Sequence, residues 1–148
     1  LPILIAPKNF LIILIATIAV SAVIIINPIS DDEAYFGYFT FDAVYLKNDN
    51  SVLITFSDET EKSSFAILEI LGMEKTFHKE FEITNSSFSQ LVPLDKLPKY
   101  GWKTIPVTLE ITYDEFNTVK MKTEIHDEGQ IPSEIIFGSD DWFLAPVL

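Results

Sequence analysis

The sequence predicts a mainly β protein: an N-terminal apolar α-helix followed by an antiparallel β-sandwich. Three observations carry this. From Phe10 to Ile26 every side chain is apolar except Thr17 and Ser21. Beyond Ser30 the chain turns acidic, holding all 22 Asp and Glu residues against nine of the ten basic residues. In that acidic part, apolar and polar residues alternate in short runs bounded by turn residues, with no amphipathic helical period between them. The chain therefore divides into an apolar segment, residues 1–30, and an acidic β domain, residues 31–148.

Taken as a helix, Phe10–Ile26 rises about 25 Å, at the short end of the range that spans a bilayer, and Asn27-Pro28 stops it. Twelve of its residues are Phe, Leu, Ile or Val. At the membrane centre they favour insertion by about −4 to −7 kcal/mol as an upper bound. Pro7 would lose a backbone bond in a longer helix, which makes the helix start after it. Lys8 precedes the run and Asp31, Asp32 and Glu33 follow it. The positive-inside tendency puts the N-terminus on the cytoplasmic side and the β domain outside. Two rival expectations stand beside a membrane anchor. Ala19-Val20-Ser21-Ala22 resembles the small-residue end of a secretory signal. Alternatively the helix packs with copies of itself in a filament core; position 1 is Leu rather than Met, which suggests the N-terminal processing that filament subunits undergo.

The strands of the body follow in order. Tyr35–Leu46 is a long aromatic strand, closed by a turn at Lys47-Asn48-Asp49-Asn50-Ser51. Val52, Ile54 and Phe56 then alternate with Leu53, Thr55 and Ser57. Phe65–Leu71 reads as a short, fully buried strand. Thr76–Thr84 sets Phe77, Phe81 and Ile83 on one side, and Phe88–Val92 makes a further strand. The clearest is Trp102–Tyr113, with Ile105, Val107, Leu109, Ile111 and Tyr113 pointing one way. Asp114-Glu115-Phe116-Asn117 turns it into Thr118–His126, where Val119, Met121 and Ile125 share a face and Lys120, Lys122 and Glu124 meet water. Pro106 cannot donate to a ladder, so it should face an edge or a bulge. Seven strands at this spacing predict a sandwich of the immunoglobulin-like kind, with a small open barrel as the alternative.

Leu94-Asp95-Lys96-Leu97-Pro98-Lys99-Tyr100-Gly101-Trp102 sharpens that expectation, because immunoglobulin-like domains often carry a leucine and an aromatic at the corner between their E and F strands. The plainer expectation is that Pro98 and Gly101 make a turn while Tyr100 and Trp102 cap the core. At the C-terminus, Ile131, Ile135, Ile136 and Phe137 precede Trp142-Phe143-Leu144-Ala145-Pro146-Val147-Leu148. One buried Leu or Phe is worth about 1.5–3 kcal/mol, so this stretch should close the end of the sandwich or add an edge strand. Docking on a neighbouring subunit or on the membrane surface is the rival.

Composition removes several function classes. There is no cysteine, hence no disulfide framework, thiolate nucleophile or cysteine–zinc site. Arginine is absent too, and with it the side chain best suited to bidentate phosphate recognition. The excess of acids repels nucleic acid, so no nucleic-acid partner is expected. His78, Glu80 and Glu82 share one strand face at a spacing that suits a metal. The same face is equally the solvated side opposite Phe77, Phe81 and Ile83, and no metal site is assigned. His126, near Glu124 and Asp127-Glu128, reads as part of a solvated loop. Asn48-Asp49-Asn50-Ser51, Asp58-Glu59-Thr60-Glu61 and Asp140-Asp141 supply oxygen ligands without the spaced loop of a helix–loop–helix calcium site. Turn chemistry explains the first, and surface solvation the others. No serine sits in a Gly-flanked nucleophile turn, and the five glycines are too dispersed for a phosphate cradle. No catalytic residue and no cofactor is expected. Asn85-Ser86-Ser87 fits the N-glycan acceptor pattern, making Asn85 a candidate modification site.

The layout, a Lys-led apolar helix from Lys8 to Ile26 running into a cysteine-free acidic sandwich from Tyr35 to His126, resembles archaeal envelope proteins related to type IV pilins and the stator components of the archaellum. That resemblance implies a non-enzymatic structural subunit of a cell-envelope or filament assembly, whose partners are copies of itself or other subunits, and membrane lipid. The alternative is a single-pass anchored accessory or stator module of a larger membrane complex. A metal-binding or enzymatic domain is the distant third.

Overall fold

The computed structural model describes residues 37–138. The expected helix over Phe10–Ile26, the Asp140-Asp141 pair and the apolar stretch from Trp142 lie outside them. Among the described residues no helix is long and apolar enough to cross a membrane.

The described chain is mainly β, with strands in two sheets. Strands β1 (Phe39–Leu46), β2 (Ser51–Asp58), β5 (Ser87–Pro93) and β8 (His126–Asp127) form one sheet in the order β5-β2-β1-β8. Strands β3 (Ser63–Ile70), β4 (Phe77–Glu82), β6 (Pro106–Tyr113), β7 (Asn117–Glu124) and β9 (Ile136–Gly138) form the other, ordered β4-β3-β6-β7-β9. Every pairing is antiparallel except β1 with β8.

The alternation seen in the sequence sets which face is inward, because a strand's side chains change sides at each residue. Phe41, Ala43, Val52, Ile54 and Phe56 from the first sheet are buried in one core with Ala66, Leu68, Ile70, Val107, Leu109, Ile111 and Met121 from the second. Aromatic contacts bridge the layers. Phe39 meets Tyr113 edge-on at 5.6 Å between ring centroids, and Phe81 meets Phe88 at 4.8 Å. Pairs of this geometry contribute about 0.5–1.5 kcal/mol beyond their burial.

Four details differ from the sequence expectation. Trp102–Thr104 is a 3-10 turn rather than the start of a strand: the Ile105 N–H bonds to the Trp102 carbonyl at 2.9 Å, and β6 begins only at Pro106. Pro106 is neither at an edge nor at a bulge; it is the first residue of a central strand, where the missing N–H is also tolerated. The strand expected to run to His126 ends at Glu124, and the chain crosses to the other sheet, where β8 pairs Val44 with His126 and Tyr45 with Asp127. The strand read as fully buried over Phe65–Leu71 is β3, which buries Ala66, Leu68 and Ile70 on one side and leaves Phe65, Ile67 and Glu69 half-buried on the other. Of the C-terminal stretch expected to close the sandwich or add an edge strand, Ile136–Gly138 forms the edge strand β9, which pairs Met121 with Phe137, while Ile131 is exposed and the residues from Trp142 lie outside the described residues.

Thr123 is 1% exposed and its hydroxyl has no hydrogen-bond partner among the described residues. A buried hydroxyl left unpaired costs about 1–3 kcal/mol. Thr123→Val should therefore stabilise the domain by about 1 kcal/mol in a urea unfolding titration, once imperfect shape match is set against the recovered desolvation.

Candidate functional site

The outer face of the β4-β3-β6-β7-β9 sheet holds the expected His78 ladder. Opposite His78 in the register stands Glu69 of β3. The His78 ring contacts the Glu69 carboxylate at 2.7 Å through Nδ1 and Glu80 at 3.1 Å through Nε2. The hydrogen bond to Glu69, then that to Glu80, raises the His78 pKa above its ordinary value. Glu82 pairs with Phe65, two register positions past Glu80. Among the described residues no group of three or more His, Asp or Glu is placed to hold a metal ion. A raised folded pKa gives stability that is present below the unfolded value and lost as pH rises through the folded one. NMR titration should show His78 protonated to a higher pH than a free imidazole, and Glu69→Gln should lower that midpoint.

His126 is not in a solvated loop, as its sequence neighbours suggested. It is buried in β8, where Nε2 lies 2.9 Å from the Asp42 carboxylate and Nδ1 lies 2.9 Å from the Asp127 carbonyl. The contact with Asp42 fastens β8 to β1, and that with Asp127 stays within β8. The two histidines belong to different sheets and do not form a common site.

Asp58 is the second correction, since it is buried rather than solvated. Its carboxylate ties the β2–β3 turn together, accepting from Thr60, Lys62 and Ser63. Asn50 does follow turn chemistry: its φ is 45°, its amide donates to the Leu94 carbonyl at 2.8 Å, and Tyr45 donates to its Oδ1. Asn85 is exposed in the turn between β4 and β5, at a φ of 57°.

The feature that stands out from the rest of this acidic domain is the β5–β6 connection, residues 94–105. It holds one carboxylate, Asp95, against three lysines: Lys96, Lys99 and Lys103. Its two ends are fixed. Leu94 and Ile105 are buried, and Trp102 packs on Tyr45 at 5.0 Å between ring centroids. The Gly101 N–H bonds to the Pro98 carbonyl, closing the expected turn. Between these anchors the loop is raised into solvent. Tyr100 is 77% exposed and so does not cap the core; Leu97 is 58% exposed. Lys99 lies over the Tyr100 ring, with Nζ 5.4 Å from its centroid. Lys96 reaches Glu74 at 3.5 Å through an exposed pair, which contributes little and exchanges readily. Long connections held at both ends, with polar and aromatic groups at the tip, are where binding functions concentrate. The lysine excess was visible in the sequence, but not that the loop would stand proud of an acidic sandwich.

No protein-family model, curated protein or solved structure matches this chain.

Proposed function

We propose that this protein is a non-enzymatic structural subunit of a cell-envelope or extracellular filament assembly. Its apolar run, Phe10–Ile26, packs in membrane or in a filament core, and its β domain stands outside and makes contacts. The observation that carries this reading is the partition of the chain. An apolar run broken only by Thr17 and Ser21 precedes an acidic domain whose described core is drawn from residues 39–125. On this reading the described core packs without the apolar run, which is left for lipid or for neighbouring copies.

The finer fold reading is an immunoglobulin-like sandwich. Taking β1, β2 and β5 as strands A, B and E, and β4, β3, β6 and β7 as C′, C, F and G, the pairings A–B–E and C′–C–F–G follow that plan. On this assignment the 94–105 loop is the E–F connection. An exposed Asn85 suits an external, glycan-bearing domain.

The test is negative-stain microscopy of detergent-free surface preparations, with an antibody against the β domain. Labelled filaments or ordered arrays support the reading. Label confined to a membrane complex of other subunits, one copy in each, replaces it with the anchored accessory module.

A further inference from the structure

The two sheets share one open side. There β4 ends one sheet and β5 ends the other, and among the described residues no strand pairs with the outer edge of either. At their other margins the sheets end in β8 and β9, of two and three residues, short enough to offer little template for a further strand. The β4 and β5 edges are six and seven residues long, roughly 20 Å each. A bare edge of that length invites strand addition by another chain. The hazard is greater at β5. Its sequence, Ser87-Phe88-Ser89-Gln90-Leu91-Val92-Pro93, carries no charge in an otherwise acidic domain, and Leu91 is half exposed. Uncharged segments of this length are the ones that pair between chains, and proline interrupts this one only at its end.

The charge that stands beside β5 comes from β4. In the register Lys79 lies opposite Leu68, and Gln90 lies opposite Ile54; both of these partners are fully buried. Directly opposed residues of a ladder share a face of their sheet, so Lys79 and Gln90 both project from their edges on the core side. The other charged groups of β4, His78, Glu80 and Glu82, alternate to the outer face. Across the gap between the sheets the Lys79 ammonium donates to Gln90 Oε1, and Gln90 Nε2 donates to the Leu91 main-chain carbonyl at 2.8 Å. A carbonyl of the edge strand is thereby already engaged. Phe81 backs the clasp: Lys79 Nζ lies 5.4 Å from its ring centroid, and the ring meets Phe88 edge-on. Lys79 stays exposed, so its ammonium keeps water. A strand added to β5 would lay its inward side chains on that ammonium and strip the water away. We infer that the Lys79–Gln90 clasp guards the open side of the sandwich, its inward-pointing cation keeping the uncharged β5 edge from accepting a strand of a second copy. The guard does not depend on the subunit reading above, and it matters most where copies are crowded side by side.

The test compares the full-length wild type with Lys79→Val and Lys79→Arg in detergent, by light scattering over a concentration series, with hydrogen exchange locating the contact. Lys79→Val should associate at about tenfold lower concentration than the wild type, with newly protected amides within β5, Ser87–Pro93. Lys79→Arg keeps an inward cation and should behave as the wild type. If Lys79→Val no longer unfolds cooperatively, Lys79→Gln takes its place: it can still bond to Gln90 but carries no charge, and the same lowered threshold is expected. A neutral variant with the wild-type threshold, new protection only outside β5, or association by Lys79→Arg as readily as by Lys79→Val would overturn the guard.

Discussion

Asp58→Ala is expected to destabilise the β domain by about 3 kcal/mol, and to do so with little change in the core. The Asp58 carboxylate is 4% exposed. Its Oδ1 accepts from the Thr60 N–H at 2.8 Å and the Thr60 hydroxyl at 2.6 Å. Its Oδ2 accepts from the Lys62 N–H at 3.0 Å, the Ser63 N–H at 2.9 Å and the Ser63 hydroxyl at 2.7 Å. Alanine strands these donors inside a turn where Glu61 already adopts a φ of 59°. Burial by itself pushes the Asp58 pKa up, but the Thr60 and Ser63 hydroxyls and the Thr60 and Lys62 N–H groups outweigh it and hold the pKa below the ordinary carboxylate value. A depressed folded pKa contributes stability that is complete above the unfolded value, near pH 4, and is lost as pH falls through the folded one. Thermal unfolding between pH 7 and pH 2 should show this acid limb in the wild type and a shallower one in Asp58→Ala.

Gly72→Ala is the second large effect, and it acts on the lysine loop at a distance in sequence. Gly72 has a φ of +81°, and a Cβ there would come within 2.6 Å of the Thr104 carbonyl oxygen. The obstacle is backbone, so no side-chain rotation relieves it. Thr104 ends the 3-10 turn that fastens the loop to β6, and it must move if Gly72 gains a methyl group. The expected cost is about 2–3 kcal/mol, combining left-handed strain with displacement of the loop. Gly101 is the control: its φ is +79° but nothing lies within 4 Å of its Cβ position. Gly101→Ala should cost only the conformational part, about 1–2 kcal/mol. The comparison is read by thermal unfolding, with amide shifts over residues 94–105 reporting the displaced loop.

The strands were legible wherever one side meets the core and the other meets water. Ile105, Val107, Leu109, Ile111 and Tyr113 are all buried, as their period-two spacing requires. What the pattern could not show are features set by tertiary hydrogen bonds. β8 is two residues long, too short for any period, and exists because His126 and Asp127 find β1. Asp58 stands in a run of acids and reads as solvated; its only local signal is a Thr two residues on and a Ser five residues on, the spacing of a turn that folds back over a carboxylate. Thr108 lies on the polar face yet is buried between Glu69 and Lys122, its neighbours in the ladder, whose long stems flank it. The lysine loop could be read for its turn and its aromatics. Its position at the end of the sheets away from the β2–β3 and β6–β7 turns follows only from strand register.

The central claim is that the β domain is complete without the apolar run. Its most direct measurement is thermal unfolding of residues 31–148 alone, compared with the full chain in detergent. The account predicts one cooperative transition for the shorter chain, at a midpoint within a few degrees of the β-domain transition in the full chain. A shorter chain that lacks dispersed amide signals and unfolds without cooperativity would mean that Phe10–Ile26 belongs to the interior of its own subunit, and would contradict the account.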